Sequence, residues 1–96
     1  MATFIVLMNW TEQGIKNVKD APKRLDAGRA AAKKLGCEVG AYYMTIGAYD
    51  GALIVEAPND EAMAKFALQT ASLGNIRTTT LKAFPEDAYR KIISSL

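Results

Sequence analysis

The sequence predicts a single α+β domain over residues 1–96: a four-stranded antiparallel sheet, two long helices on one of its faces, and a C-terminal helix. Three observations carry that prediction. Four β-branched or apolar runs alternate with helical runs in the order β-α-β-β-α-β. The middle two strands are joined by a tight connection, Gly47-Ala48-Tyr49-Asp50-Gly51, which makes them a hairpin. The strands are apolar on both faces, more than one layer of helices can cover.

The first strand is Thr3-Phe4-Ile5-Val6-Leu7-Met8, apolar without alternation and ended by Asn9-Trp10. Thr11 is a good helix N-cap, although Gly14 rather than an acid stands at the third helical position. A turn or two of helix follows to about residue 19. Asp20-Ala21-Pro22 restarts it, Asp20 as cap and Pro22 in the first turn, where its missing N–H costs nothing. The helix runs over residues 22–35 with Leu25, Gly28, Ala32 and Leu35 on one face, and its small residues predict close packing on the sheet. Gly36 ends it.

Residues 37–46 and 49–57 are the hairpin strands. Strict alternation puts Val39, Ala41, Tyr43 and Thr45 on one face of the first, and Gly40, Tyr42, Met44 and Ile46 on the other. Pro58-Asn59-Asp60-Glu61 opens the next helix, with Asn59 or Asp60 as cap and acids suited to the helix dipole. That helix ends near Leu73-Gly74-Asn75, and residues 76–83 form a β-branched fourth strand. Phe84-Pro85-Glu86-Asp87 opens a last helix to about Ser94, with Tyr89, Ile92 and Ile93 as its apolar side. This is the ferredoxin-like arrangement. Because its uncovered face is apolar, we expect a homodimer in which two sheets close into a barrel-like core.

Composition narrows the functions. There is no histidine, which removes Ser-His-Asp and Cys-His pairs, histidine zinc sites and histidine-ligated haem. No carboxylate cluster has calcium-loop spacing, so no metal or other cofactor is expected. Cys37 is the one cysteine, so no internal disulfide forms, and a reducing cytoplasm is expected. No secretory leader and no membrane span is expected either. The net charge is +2, but residues 1–36 hold seven basic and three acidic side chains, and residues 37–96 five and seven. No aromatics interleave with the basic run, so it reads as a solvated face and nucleic acid is not expected as a partner.

Five blocks, taken together, resemble the GYD-domain proteins, small bacterial and archaeal proteins named for a Gly-Tyr-Asp signature. They are Phe4-Ile5-Val6-Leu7-Met8-Asn9-Trp10-Thr11-Glu12-Gln13-Gly14-Ile15, Lys19-Asp20-Ala21-Pro22-Lys23-Arg24, Gly47-Ala48-Tyr49-Asp50, Ile54-Val55-Glu56-Ala57-Pro58 and Ser72-Leu73-Gly74-Asn75-Ile76-Arg77-Thr78. Gly47, Tyr49 and Asp50 would supply the signature, with Ala48 between. The resemblance implies the dimeric α+β barrel class, in agreement with the apolar faces. Related barrels include cofactor-free monooxygenases, isomerases, haem enzymes and amino-acid-sensing domains, and fold alone does not choose among them.

The candidate ligand-binding residues are Asn9, Trp10, Tyr43, Thr45, Tyr49, Asp50 and Arg77. Tyr49 and Asp50 pair a phenol with a carboxylate at a strand mouth, able to move a proton or orient a polar ligand; structurally, they would instead shape the turn. Asn9 offers an amide and Trp10 a flat wall, or they hold the strand-to-helix turn. Tyr43 and Thr45 would put hydroxyls in an apolar pocket if their face lines the barrel, and join the core if it faces the helices. Arg77 would clamp an anion or pair with Glu56 or Asp50. Two functions compete: a homo-oligomeric module binding a small metabolite or acting in regulation or structure, and a cofactor-free oxygenase or isomerase using Tyr49 and Asp50. A polyanion-binding first helix is a third, weaker reading.

Overall fold

The computed structural model describes residues 1–96. Strands β1 (Ala2–Trp10), β2 (Glu38–Met44), β3 (Gly51–Ala57) and β4 (Ile76–Ala83) form one antiparallel sheet in the order β2-β3-β1-β4. The helices are α1 (Glu12–Lys16), α2 (Ala21–Lys34), α3 (Asp60–Ser72) and α4 (Glu86–Ser94), with a 3-10 turn at Val18–Asp20. The predicted α+β, ferredoxin-like arrangement is the observed one.

The alternation of β1 sorts its apolar residues between two faces. Phe4, Val6 and Met8 are buried beneath the helices, while Ile5 and Leu7 point to the other side. Val55 and Ala57 of β3, Met63 and Phe66 of α3, Ala32 of α2 and Cys37 just before β2 complete the core. These few buried hydrophobes and their small neighbours make a thin core, as expected for a chain of this length.

On the uncovered side Ile54, Ile5 and Leu81 stand in one row across β3, β1 and β4, with Ala52, Leu7 and Thr79 in the next. Ile54 is 36% and Leu81 46% exposed. The expected apolar outer face is therefore present.

β2 departs from the predicted alternation. Val39 pairs with Val55 and Tyr42 with Leu53, so Gly40 and Ala41 together oppose the single residue between them on β3. This is a β-bulge, and it reverses the facing of everything after it. Val39 and Tyr42 both lie on the helix side, opposite Val55 and Leu53, while Tyr43 joins Ala52 on the outer face. The strands are also shorter than expected, since residues 45–50 form the connection.

The helix starts follow side-chain caps in two of the expected places. Thr11 Oγ1 accepts the N–H of Gly14 at 3.1 Å, and Asn59 Oδ1 accepts that of Ala62 at 2.8 Å. Asp20 makes no capping bond before α2. The glycine that spoils the capping box has another reason to be there: a Cβ on Gly14 would collide with the carbonyl oxygen of Asn75. The Asn75 backbone lies across this turn, because Asn75 O accepts Thr11 N at 3.0 Å and Gly74 O accepts Thr11 Oγ1 at 2.6 Å. Gly28, expected to press α2 onto the sheet, instead faces open space, with nothing within 4 Å of a Cβ built there.

Those two glycines give opposite expectations. Gly14→Ala forces backbone apart and should cost about 2–3 kcal/mol, lowering the melting temperature by about 10–20 °C. Gly28→Ala should be neutral or stabilise by up to about 1 kcal/mol through helix propensity. Thermal and urea unfolding of the two variants checks both.

Candidate functional site

Five of the seven candidate residues gather at the end of the sheet where β1 meets the β2–β3 connection. Asp50 holds the join on both sides: its N–H donates to Met8 O at 2.8 Å, and its carboxylate accepts the Trp10 N–H at 2.9 Å. Asn9 Nδ2 donates to Ala48 O at 2.9 Å. Within the connection, Thr45 N donates to Asp50 O at 2.9 Å and Thr45 Oγ1 to Tyr49 O at 2.6 Å. Gly47 takes φ +139°, a backbone region that favours glycine. Asn9, Thr45 and Asp50 thus give their side chains to main-chain partners, and Tyr49 and Trp10 contribute backbone groups. The arrangement clasps the connection to β1.

Gly51 makes this clasp tight. A Cβ there would lie 2.7 Å from both Met8 Sδ and the Tyr42 hydroxyl. Tyr42 is half-buried behind it, its hydroxyl 4.0 Å from Met8 Sδ. Burial raises the Tyr42 phenol above its ordinary pKa, and the Asp50 carboxylate adds to the rise by opposing a second negative charge. Burial likewise raises the thiol of Cys37, which is enclosed in the core at 2% exposure.

The remaining two candidates lie elsewhere. Tyr43 is 65% exposed on the outer sheet face. Arg77 sits across from Asn9 on β4 and is exposed. It pairs with neither Glu56 nor Asp50, since the two ion pairs of the protein are Lys82–Asp60 and Arg90–Glu86. Glu56 instead accepts the Thr3 hydroxyl at 2.9 and 3.0 Å.

A cavity of about 920 Å³ opens on the helix side, between α2, α3 and the sheet. Of the seven candidates only Trp10 lines it. Its floor is Met8, Tyr42, Leu53 and Ile76, and its walls include Leu25, Gly28 and Ala31 of α2 and Phe66, Gln69 and Thr70 of α3. Arg24 and Arg29 also line it. Neither is the freely solvated charge that the basic run suggested: each guanidinium donates to main-chain oxygens and keeps further N–H groups unused. Arg24 donates to Asn17 O at 3.0 Å and Gly14 O at 3.1 Å, and Arg29 donates to Val39 O at 2.9 Å.

Sequence reasoning missed this cavity for a local reason. Strict alternation turned Tyr42 away from Val39, and the small residues of α2 read as a surface for close packing. A glycine inside a strand, Gly40, was the available signal of a bulge.

Comparison with known proteins agrees with this architecture. The GYD domain family matches residues 4–93. A Thermus thermophilus protein named glutamine synthetase and cystathionine beta-lyase binding protein is 35% identical over 86 residues, covering 88% of this chain and 90% of its own. A crystal structure from Thermus thermophilus superimposes with a TM-score of 0.57 at 28% identity, over 88% of this chain and 94% of that one. MtbAldR superimposes with a TM-score of 0.67 at 15% identity over 86% of this chain, which spans about half, 51%, of MtbAldR. The crystal structure of FFRP-DM1 gives 0.61 at 22% identity, covering 88% of this chain and all of that one.

Two outcomes follow from the clasp and the buried phenol. Asp50→Ala removes a charge-assisted bond and should cost about 1.5–3 kcal/mol, more than Asp50→Asn, in urea unfolding. The folded state favours the neutral forms of Tyr42 and Cys37. Their stabilisation is intact below the unfolded values, near 8.5 for the thiol and 10 for the phenol. It is lost as the pH rises above them, because the unfolded chain then releases protons the folded one retains. Tyr42→Phe should flatten the decline in melting temperature above about pH 10.

Proposed function

We propose that this chain, which belongs to the GYD domain family, is a non-catalytic binding module acting as a homodimer. Two copies join through their outer sheet faces. The dimer binds a partner enzyme, and the cavity beneath α2 and α3 holds a small metabolite that bears on that binding.

The outer sheet face carries this reading. Ile5, Leu7, Ile54 and Leu81 are contiguous on it, and no helix of the chain lies over them. Such a surface is normally covered by protein, and two sheets pack face to face at about 10 Å. The rim is polar, with Thr3 and Glu56 at one end and Asn9 and Arg77 at the other, as interfaces commonly are. The 35%-identical Thermus relative, a binding protein by its name, supports binding over catalysis. Glutamine synthetase and cystathionine beta-lyase are accordingly the partner enzymes to try first.

The enzyme reading has less support. Proton transfer by Tyr49 and Asp50 needs both groups free beside a substrate. The Asp50 carboxylate is engaged with Trp10 N, and neither residue lines the cavity. The free thiol of Cys37 and the lack of a disulfide fit a reducing cytoplasm, where the reading places the protein. No helix is long and apolar enough to cross a membrane.

Sedimentation equilibrium should give a dimer at micromolar concentration, and Ile54→Lys should weaken association at least about 100-fold, the effect of nearly 3 kcal/mol at an interface centre. A wild-type monomer would refute the assembly. Purified glutamine synthetase and cystathionine beta-lyase should be titrated over immobilised protein. Saturable binding of either supports the reading, and binding of neither refutes the partner assignment.

A further inference from the structure

The cavity under α2 carries an imbalance of charge that points to its occupant. Arg24 and Arg29 line it, and no aspartate or glutamate does. Neither guanidinium lies within 4.0 Å of a carboxylate anywhere in the protein. Each has five N–H donors, and the carbonyls of Gly14, Asn17 and Val39 take only part of that capacity. A guanidinium beside apolar walls gains most from an anion that brings its own acceptors. The rest of the lining is largely apolar and aromatic, with Met8, Trp10, Leu25, Leu53, Phe66 and Ile76 supplying its bulk. At about 920 Å³ the space is at the upper end of small-molecule sites, roughly 300–1,000 Å³.

We infer that this cavity binds a small amphipathic carboxylate, its apolar body between α2, α3 and the sheet and its headgroup on Arg29. The inference rests on reading the cavity as a ligand site and adds the chemistry of the ligand. A planar carboxylate matches the guanidinium fork in two parallel bonds. A phosphate headgroup fits less well. Phosphates are usually cradled by backbone N–H groups at a helix start, and the start of α2 on this rim carries Pro22, which has none. Gly28 matters here because it leaves room: its helical position faces open space, so a larger side chain there would fill the cavity without disturbing the backbone. Trp10, the single tryptophan, lies in the lining and reports occupancy by its fluorescence.

The test is a fluorescence titration of the whole protein with decanoate, 1-decanol and decyl phosphate, each below its aggregation concentration. Decanoate should bind at least tenfold more tightly than 1-decanol and more tightly than decyl phosphate. Arg29→Gln should weaken decanoate at least fivefold and leave 1-decanol unchanged, and Arg29→Lys should restore part of the preference. Gly28→Leu should abolish binding of all three while the melting temperature holds or rises. Equal affinity for acid and alcohol, with both lost in Gly28→Leu, overturns the carboxylate assignment and leaves the cavity as a ligand site. Tighter binding of decyl phosphate overturns the headgroup alone. No binding by any probe, or binding that survives Gly28→Leu, overturns the inference and the ligand-site reading together. A Trp10 signal that follows protein concentration instead of ligand assigns the groove to a second copy of the chain, and also overturns it.

Discussion

A sheet with apolar side chains on both faces has to be covered twice, and this chain lays helices over one face only. Phe4, Val6 and Met8 find their cover in α2 and α3, while Ile5 and Leu7, one residue away on the same strand, find none. The size of the chain sharpens the constraint. A thin core leaves little stability in reserve, so an exposed apolar face is both a solubility hazard and an unused source of burial energy. Packing two such faces together resolves both. α4 belongs to the same problem: it lies apart from the core and leaves Tyr89, Ile92 and Ile93 about half exposed.

The polar residues of the signature answer a different need. The hairpin connection would otherwise swing free at the sheet end. Asp50 ties it to β1 through one backbone donor and one carboxylate, and Asn9 adds a third bond at Ala48. Four of the five blocks that carry the family resemblance meet near this end of the molecule, while Ile54-Val55-Glu56-Ala57-Pro58 runs to the opposite end of the sheet. Thr11 and Gln13 bond Leu73, Gly74 and Asn75, and Arg24 bonds Gly14 and Asn17. These residues are linked by what they hold in place: the sheet end, the α1 turn and the start of β4, around the mouth of the α2–α3 cavity.

Much of the fold was legible in the sequence because strong local signals agreed with each other. Pro58-Asn59 and Thr11 announced helix starts, the run from Ile76 to Ala83 announced a strand, and both faces of β1 announced the missing cover. The facing of β2 was not legible by alternation, since one extra residue at Gly40-Ala41 moved Tyr42 to the helix side and Tyr43 to the outer face. The candidate site was half legible. Asn9, Trp10, Thr45, Tyr49 and Asp50 do converge, but on main-chain partners. The cavity depends on how far α2 stands off the sheet, and helical periodicity carries no information about that distance. Gly28 showed this most plainly: read as a packing residue, it faces open space.

The central claim is that the outer sheet face is covered by the same face of a second copy. Isotope-filtered NMR on a mixture of labelled and unlabelled protein tests it most directly. It should give intermolecular contacts among the methyl groups of Ile5, Leu7, Ile54 and Leu81. If these methyls show only intramolecular contacts while the protein is dimeric, or if the protein gives no intermolecular contacts at all, the claim is contradicted.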